Sequence, residues 1–356
     1  MANSTVRLSV LDLIPVRSGQ TTGQAIEACL SLANTADRNG YHRFWVAEHH
    51  NAPMIASTHP AVLISMIASQ TENIRVGSGG VMLPNHTPLS IAEQFALLEA
   101  RFPGRIDLGI GRAPGTDPVT SWALRGGHSD RTLQEFPSWV RQIMQLLGPG
   151  LAVEIQGRQF ELQATPAATS APEIWLLGSS DYSAQLAAEL GLGYVFAHHF
   201  SGQGTQPALQ IYRGSVSPTA RREFISANIV VANTTEEAQA WALPYAQMMA
   251  KLRSGQPLIA SPTIEEAMRQ QDQFPAELMH AVTAPWLIGT PSEVATQVQQ
   301  LADQFGVEEI MVYPVAGALD TDPMTRYPAR EFALSALAEE LGQSPYIDGP
   351  TAVDAG

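Results

Sequence analysis

The chain has 356 residues, with 20 Lys plus Arg against 34 Asp plus Glu, so its formal net charge is −14. Nucleic acid and anionic membrane surfaces both call for clustered basic residues, and this balance argues against either partner. One cysteine, Cys29, excludes an internal disulfide and a cysteine-based zinc site, and a buried thiol in a reducing compartment is expected.

The opening MANSTVRLSVLDLIP has no basic leader, and no apolar run approaches the roughly 18 residues of a membrane span. A cytoplasmic protein is expected. Residues 6–14 are mostly apolar and predict a first strand, ended by the turn residues from Pro15 to Gly19. Thr22 is the expected cap of a helix that runs to Asn39 and stops at Gly40. FWVAEHH, from Phe44 to His50, then reads as a buried strand that ends abruptly on a carboxylate and two imidazoles.

His59-Pro60 opens a helix to about Thr71, and Ile74 to Val81 is the third strand, running through the glycine-rich GSGG. A helix from Leu89 to Phe102 leads through Pro103-Gly104 into the fourth strand, RIDLGIG, ending at Arg112. Residues 113–131 read as a long structureless connection, of the kind that is usually functional or disordered. Further on, the pattern predicts a helix over 132–147, a hairpin over 151–162, a strand over 174–177, a helix over 181–190 and a strand over 194–197, with a second histidine pair, His198-His199. A helix over 205–212 and a strand over 224–231 precede a mostly helical stretch, 235–285, too long for one crossover. Thr290 and Pro291 then open a helix to Phe305, 309–315 is the eighth strand, and 328–341 the last helix.

Eight strands separated by helices predict an α/β fold, a (β/α)8 TIM barrel with insertions at the C-terminal face; an open doubly wound sheet is the alternative. We expect one domain over 1–342, with the 235–285 insertion covering one mouth of the barrel and a loose tail over 343–356. Chemistry is expected where polar groups follow strand ends. Glu48, His49 and His50 qualify, and since neighbouring residues point to opposite sides, at most one histidine faces the mouth. The glycines of GSGG are either a flexible turn or a place where a planar ligand lies against bare backbone. In GSSDYS a helix start offers N–H groups and the hydroxyls of Ser180 and Ser183 to a phosphate, with Arg112 as a charged partner; an ordinary helix cap is the plain alternative. Adjacent histidines diverge, so no metal is expected. Trp122, Met54 and Phe200 are candidates for an apolar pocket.

The run from FWVAEHH through VGSGGVMLPNHTPLSIAEQFALLEARFPGRIDLGIGR, then LLGSSDYSAQLAAELGLGYVFAHHF, IGTPSEVATQVQQL and EEIMVYPV resembles the bacterial luciferase-like, flavin-dependent monooxygenase family over most of the chain. The resemblance implies an enzyme that takes reduced FMN from a separate flavin reductase and uses O2 to oxygenate a small, apolar organic substrate. It implies His49 as the catalytic histidine and Gly79-Gly80 as a cis peptide beneath the flavin ring. It also places Arg112, Ser180 and Ser183 at the flavin phosphate. Ser179 stands where the luciferase α chain carries a glutamate near the flavin edge. A homodimer built on helices near residues 59–102 is implied as well. A deazaflavin (F420)-dependent oxidoreductase, a non-catalytic flavin-binding protein and a metal-dependent barrel hydrolase are the alternatives.

Overall fold

The computed structural model describes residues 6–127, 133–256 and 260–344. Twelve strands are seen among them: β1 (Arg7–Asp12), β2 (Arg43–Val46), β3 (Arg75–Ser78), β4 (Val81–Met82), β5 (Ile106–Gly111), β6 (Leu151–Ile155), β7 (Arg158–Leu162), β8 (Glu173–Gly178), β9 (Gly193–Phe196), β10 (Glu223–Val231), β11 (Leu287–Gly289) and β12 (Glu309–Pro314). The α-helices are α1 (Thr22–Arg38), α2 (Pro60–Gln70), α3 (Pro88–Arg101), α4 (Pro118–Leu124), α5 (Phe136–Leu146), α6 (Asp181–Leu190), α7 (Thr205–Ser215), α8 (Thr235–Arg253), α9 (Ile264–Arg269), α10 (Ala276–Thr283), α11 (Pro291–Phe305) and α12 (Pro328–Glu340).

Parallel pairing runs β1-β2-β3-β5-β8-β9-β10-β12 and returns to β1, which closes an eight-stranded (β/α)8 barrel. β4 continues the line of β3 along β5, pairing Val81 with Ile110 and Met82 with Gly111. The expected third strand is therefore interrupted at a cis Gly79–Gly80 peptide. β11 adds a short parallel strand to the C-terminal end of β10. β6 and β7 form the expected hairpin.

Side-chain alternation explains how this ring is filled. In β2, Phe44 and Val46 join the large outer core beneath the helices, while Trp45 belongs to an inner cluster with Trp175 and Phe224. These three rings are 5.0–6.1 Å apart between centroids. Below them lies an ion cluster contributed by four strands. Arg43 Nη1 donates to Asp107 Oδ2 at 2.8 Å and its Nε to Glu309 Oε1 at 2.8 Å, while Arg75 Nη2 reaches Asp107 Oδ1 at 2.5 Å and Trp45 Nε1 donates to Asp107 Oδ2 at 2.9 Å. Burial alone would raise the Asp107 pKa, but Arg43 and Arg75 outweigh it and hold it low. The barrel interior is thus plugged at this end by aromatic and charged side chains.

Several boundaries differ from the sequence reading. The helix cap is Thr21, whose side chain accepts from Gln24 N–H in a capping box, and Thr22 is the first helical residue. Residues 113–131 are not structureless throughout: α4 forms there, capped by Asp117, which accepts from Val119 and Thr120 N–H. Residues 128–132 and 257–259 lie outside the described residues, as does the expected tail from 345 onward. Cys29 is buried, as expected. No helix among the described residues is long and apolar enough to cross a membrane.

Removing Asp107 takes a shared carboxylate from buried Arg43, which keeps Glu309, and from half-buried Arg75, so Asp107→Ala is expected to cost about 3 kcal/mol of unfolding free energy in a denaturant titration. Glu308, 84% exposed and 3.6 Å from Arg7, is the control, and Glu308→Ala is expected to leave the midpoint unchanged.

Candidate functional site

The inside-outside alternation of the strands persists past their ends. From β2, Trp45 is inward, Ala47 and His49 line a cavity at the C-terminal mouth, and Glu48 and His50 turn to the other side. From β9, Val195, Ala197 and His199 line the same cavity, while His198 turns outward, its Nδ1 2.7 Å from Thr205 Oγ1 and its ring against Phe305. One member of each histidine pair faces the mouth. For the first pair this is the member the sequence pointed to.

The cavity has a volume of about 300 Å³. Its walls include His49, Gly79, Gly80, Arg112, Ser179, Ser180 and Ser183, so the residues that the family resemblance singled out converge on one space. Leu11, Leu13, Leu177, Val195 and Met311 make much of the rest apolar, and Phe200 joins them. Met54 is buried and Trp122 exposed, and neither lines it. Ala113 and Pro114 do, but none of the described residues of 235–285 does; that stretch packs α8 against β10 and β11.

The glycine pair is dictated by close approach. A Cβ on Gly80 would stand 2.8 Å from both the Gly109 carbonyl oxygen and Leu177 Cδ1, and one on Gly79 would stand 2.7 Å from Leu11 Cδ1. Any larger residue would intrude on the cavity wall.

On the outer side, the fully buried Glu48 carboxylate gathers three donors. His50 Nε2 lies 2.9 Å and His86 Nε2 2.7 Å from Oε1, and Met82 N–H donates to Oε2 at 3.0 Å. Burial would raise the Glu48 pKa, but the bonds from His50 and His86, the charge of His86 and the Met82 amide lower it to about 2. The ligating atoms of Glu48, His50 and His86 lie within 4.8 Å of one another, a spacing that could admit a cation, yet both carboxylate oxygens are already hydrogen-bonded. His49 is held differently. Its backbone N–H donates to the Ser57 carbonyl at 2.9 Å, its Nδ1 is buried without a partner among the described residues, and burial lowers its pKa, only partly offset by Glu48. A buried ring nitrogen with no partner, in the wall of a cavity, marks a site that a ligand could complete.

Across the cavity, Ser180 is the N-cap of α6, and its side chain makes no capping bond. Ser183 is buried one turn into the helix. The Arg112 guanidinium lies 4.1 Å from the Tyr182 ring centroid, and the ion pairs seen among the described residues do not include it. A helix N-terminus, free hydroxyls and an uncommitted arginine form a cradle suited to a phosphate. Burial keeps the cavity-facing His49 and His199 neutral at neutral pH, and the site combines an anion cradle, a bare glycine floor and apolar walls.

A family profile described as "Luciferase-like monooxygenase" matches residues 6–309. An Escherichia coli K12 protein named "Luciferase-like monooxygenase" is 37% identical over 350 residues, covering 96% of this chain and all of that protein. The crystal structure of apo-MsnO8 superposes with a TM-score of 0.84 at 32% identity, covering 96% of this chain and 99% of the other. The oxygenating constituent of 3,6-diketocamphane monooxygenase from Pseudomonas putida, solved in complex with FMN, has a TM-score of 0.72 at 18% identity, covering 95% and 98%. At that identity the likeness is one of fold.

The low Glu48 pKa has a signed consequence. A carboxylate whose folded pKa lies below its unfolded value adds stability above about 4.5 and loses it as pH falls toward 2. Over that window, unfolding free energy is expected to fall more steeply for the native protein than for Glu48→Gln. Parallel curves would show that Glu48 is not held as a carboxylate.

Proposed function

The chain belongs to the luciferase-like monooxygenase family, and from that premise we propose that it oxygenates a small, apolar organic molecule, using O2 and reduced FMN delivered by a separate flavin reductase. The observation that carries this reading is the meeting of His49, the cis Gly79–Gly80 peptide, Arg112 and the α6 N-terminus around one cavity. The P. putida oxygenating constituent shares the fold and was solved with FMN bound, which is in keeping with the choice of cofactor.

In this reading the FMN phosphate is held by Arg112, the first N–H groups of α6, Ser180 and Ser183, and the ring rests on Gly79-Gly80 beside Ser179. FMN would supply the redox and oxygen chemistry. The chain's own share is positioning and protection. Arg112 supplies charge and a forked donor; the glycines permit close approach; Leu11, Leu177, Val195 and Met311 keep water from the reacting centre. His49, desolvated and neutral, can take or give a proton at a ring nitrogen next to the ligand. The deazaflavin alternative has less support, because the E. coli relative that spans nearly the whole chain is named a monooxygenase.

Purified protein given FMN, NADH and a flavin reductase tests this. Binding of reduced FMN, and an altered rate of flavin reoxidation by O2, are expected; absence of both would sink the proposal. Within the same assay Arg112→Ala is expected to weaken FMN about 10–100-fold, the cost of a charged hydrogen bond, while leaving riboflavin, which has no phosphate, unaffected. His49→Ala is expected to keep flavin binding and lose turnover.

We also propose a homodimer through α2 and α3. Val62 and Leu97 are 54% and 60% exposed, and both line an outward groove of about 510 Å³ beside Ile91 and Leu98. A charge in that patch, Leu97→Glu, is expected to convert a dimer to a monomer by light scattering. A native protein that runs as a monomer would end this proposal.

A further inference from the structure

His199 is the cavity histidine to which no role has yet been given. Its strand, β9, lies opposite β2 in the ring, four places away in β1-β2-β3-β5-β8-β9-β10-β12, so His199 and His49 face each other across the mouth. Two inward residues of β10 hold it. Ser226 Oγ stands 2.6 Å from its Nδ1, and Asn228 Nδ2 donates to its carbonyl oxygen at 2.9 Å. A mere filler of the mouth would not need both its ring and its backbone pinned from the neighbouring strand.

The Ser226 hydroxyl also fixes where the ring proton sits. It has one proton, and His199 Nδ1 at 2.6 Å is a far closer acceptor for it than the Phe196 carbonyl oxygen at 3.4 Å. Ser226 Oγ then donates to Nδ1, which places the ring proton of the neutral imidazole on Nε2. No hydrogen bond among the described residues occupies Nε2, and the ring lines the cavity. Burial, followed by the neighbouring imidazoles of His198 and His49, pushes the His199 pKa down to about 3, so the ring is neutral wherever an ordinary histidine would titrate.

We propose that His199 is a second ligand-contacting histidine of the cavity, fixed by Ser226 with its proton on Nε2 so that its Nε2–H donates a hydrogen bond to a carbonyl oxygen of the flavin ring bound in the cavity it shares with His49. The occupant rests on the FMN reading above, whereas the tautomer does not. A flavin ring carries both N–H groups and carbonyl oxygens, and only an acceptor such as a carbonyl oxygen can satisfy an imidazole N–H. Asn228, through the His199 carbonyl, and Ser226, through its ring, are positioning residues.

Nitrogen-15 NMR of the histidine side chains tests both parts, with His199→Gln identifying the signal. Without flavin, the His199 ring is expected to show a bare Nδ1 and a protonated Nε2 through the pH range of ordinary imidazole titration, and Ser226→Ala is expected to lose that preference. Anaerobic addition of reduced FMN is expected to move the Nε2 resonance. A ring protonated on Nδ1 overturns the tautomer. An unmoved Nε2 while the His49 signals shift overturns the flavin contact and leaves the FMN reading intact. If no histidine signal moves at saturating FMN, the FMN reading itself fails, and the contact with it.

Discussion

A single buried carboxylate sets the geometry of this site. Taking Glu48 out of water is costly unless its charge is met, and the chain meets it with three donors from separate segments: His50 beyond β2, Met82 in β4 and His86 just after β4. Meeting that demand ties the end of β2 to the segment that follows the glycine pair. His49 and Gly79-Gly80, two walls of the cavity, therefore share one anchor. The same bonds turn His50 outward, which leaves His49 as the imidazole of that pair on the inner side.

Strand alternation carries this arrangement around the ring. Because each strand end continues its own in-out pattern, every second residue beyond the barrel is delivered to the mouth: Ala47 and His49, Ala197 and His199, Leu177 and Ser179. The opposite end of the barrel is filled by the Trp45, Trp175 and Phe224 rings and by the Arg43 ion cluster, so the space left for a ligand lies at the C-terminal side. Fold and site are in this sense one construction. The residues that close the bottom of the barrel define the floor below which a cofactor cannot sink.

Much of this was legible in the sequence because it is local. Apolar runs marked the barrel strands, Thr290 and Pro291 marked a helix start that the structure shows as a full capping box, and polar groups at strand ends marked the mouth. The two-residue period also told that one histidine of each pair must turn away. Legibility failed where elements are short or contacts distant. α4 was missed although Asp117 before Pro118 is a readable start signal, because seven residues give little periodicity. β4 and β11, two and three residues long, exist only through pairing with β5 and β10. That Glu48 would draw in His86, and that Ser226 would hold His199, depends on partners tens of residues away, which no local pattern encodes. Trp122 and Met54 show the converse error: apolar and near a strand end in sequence, they face solvent and core respectively.

The central claim is that this one cavity holds FMN by its phosphate and ring together, and a crystal structure of the protein with FMN tests it most directly. The account predicts the phosphate between Arg112 and the N-terminus of α6, the ring over Gly79-Gly80, and His49 against the ring. FMN bound elsewhere on the barrel, or a cavity left empty in crystals saturated with the cofactor, would contradict it.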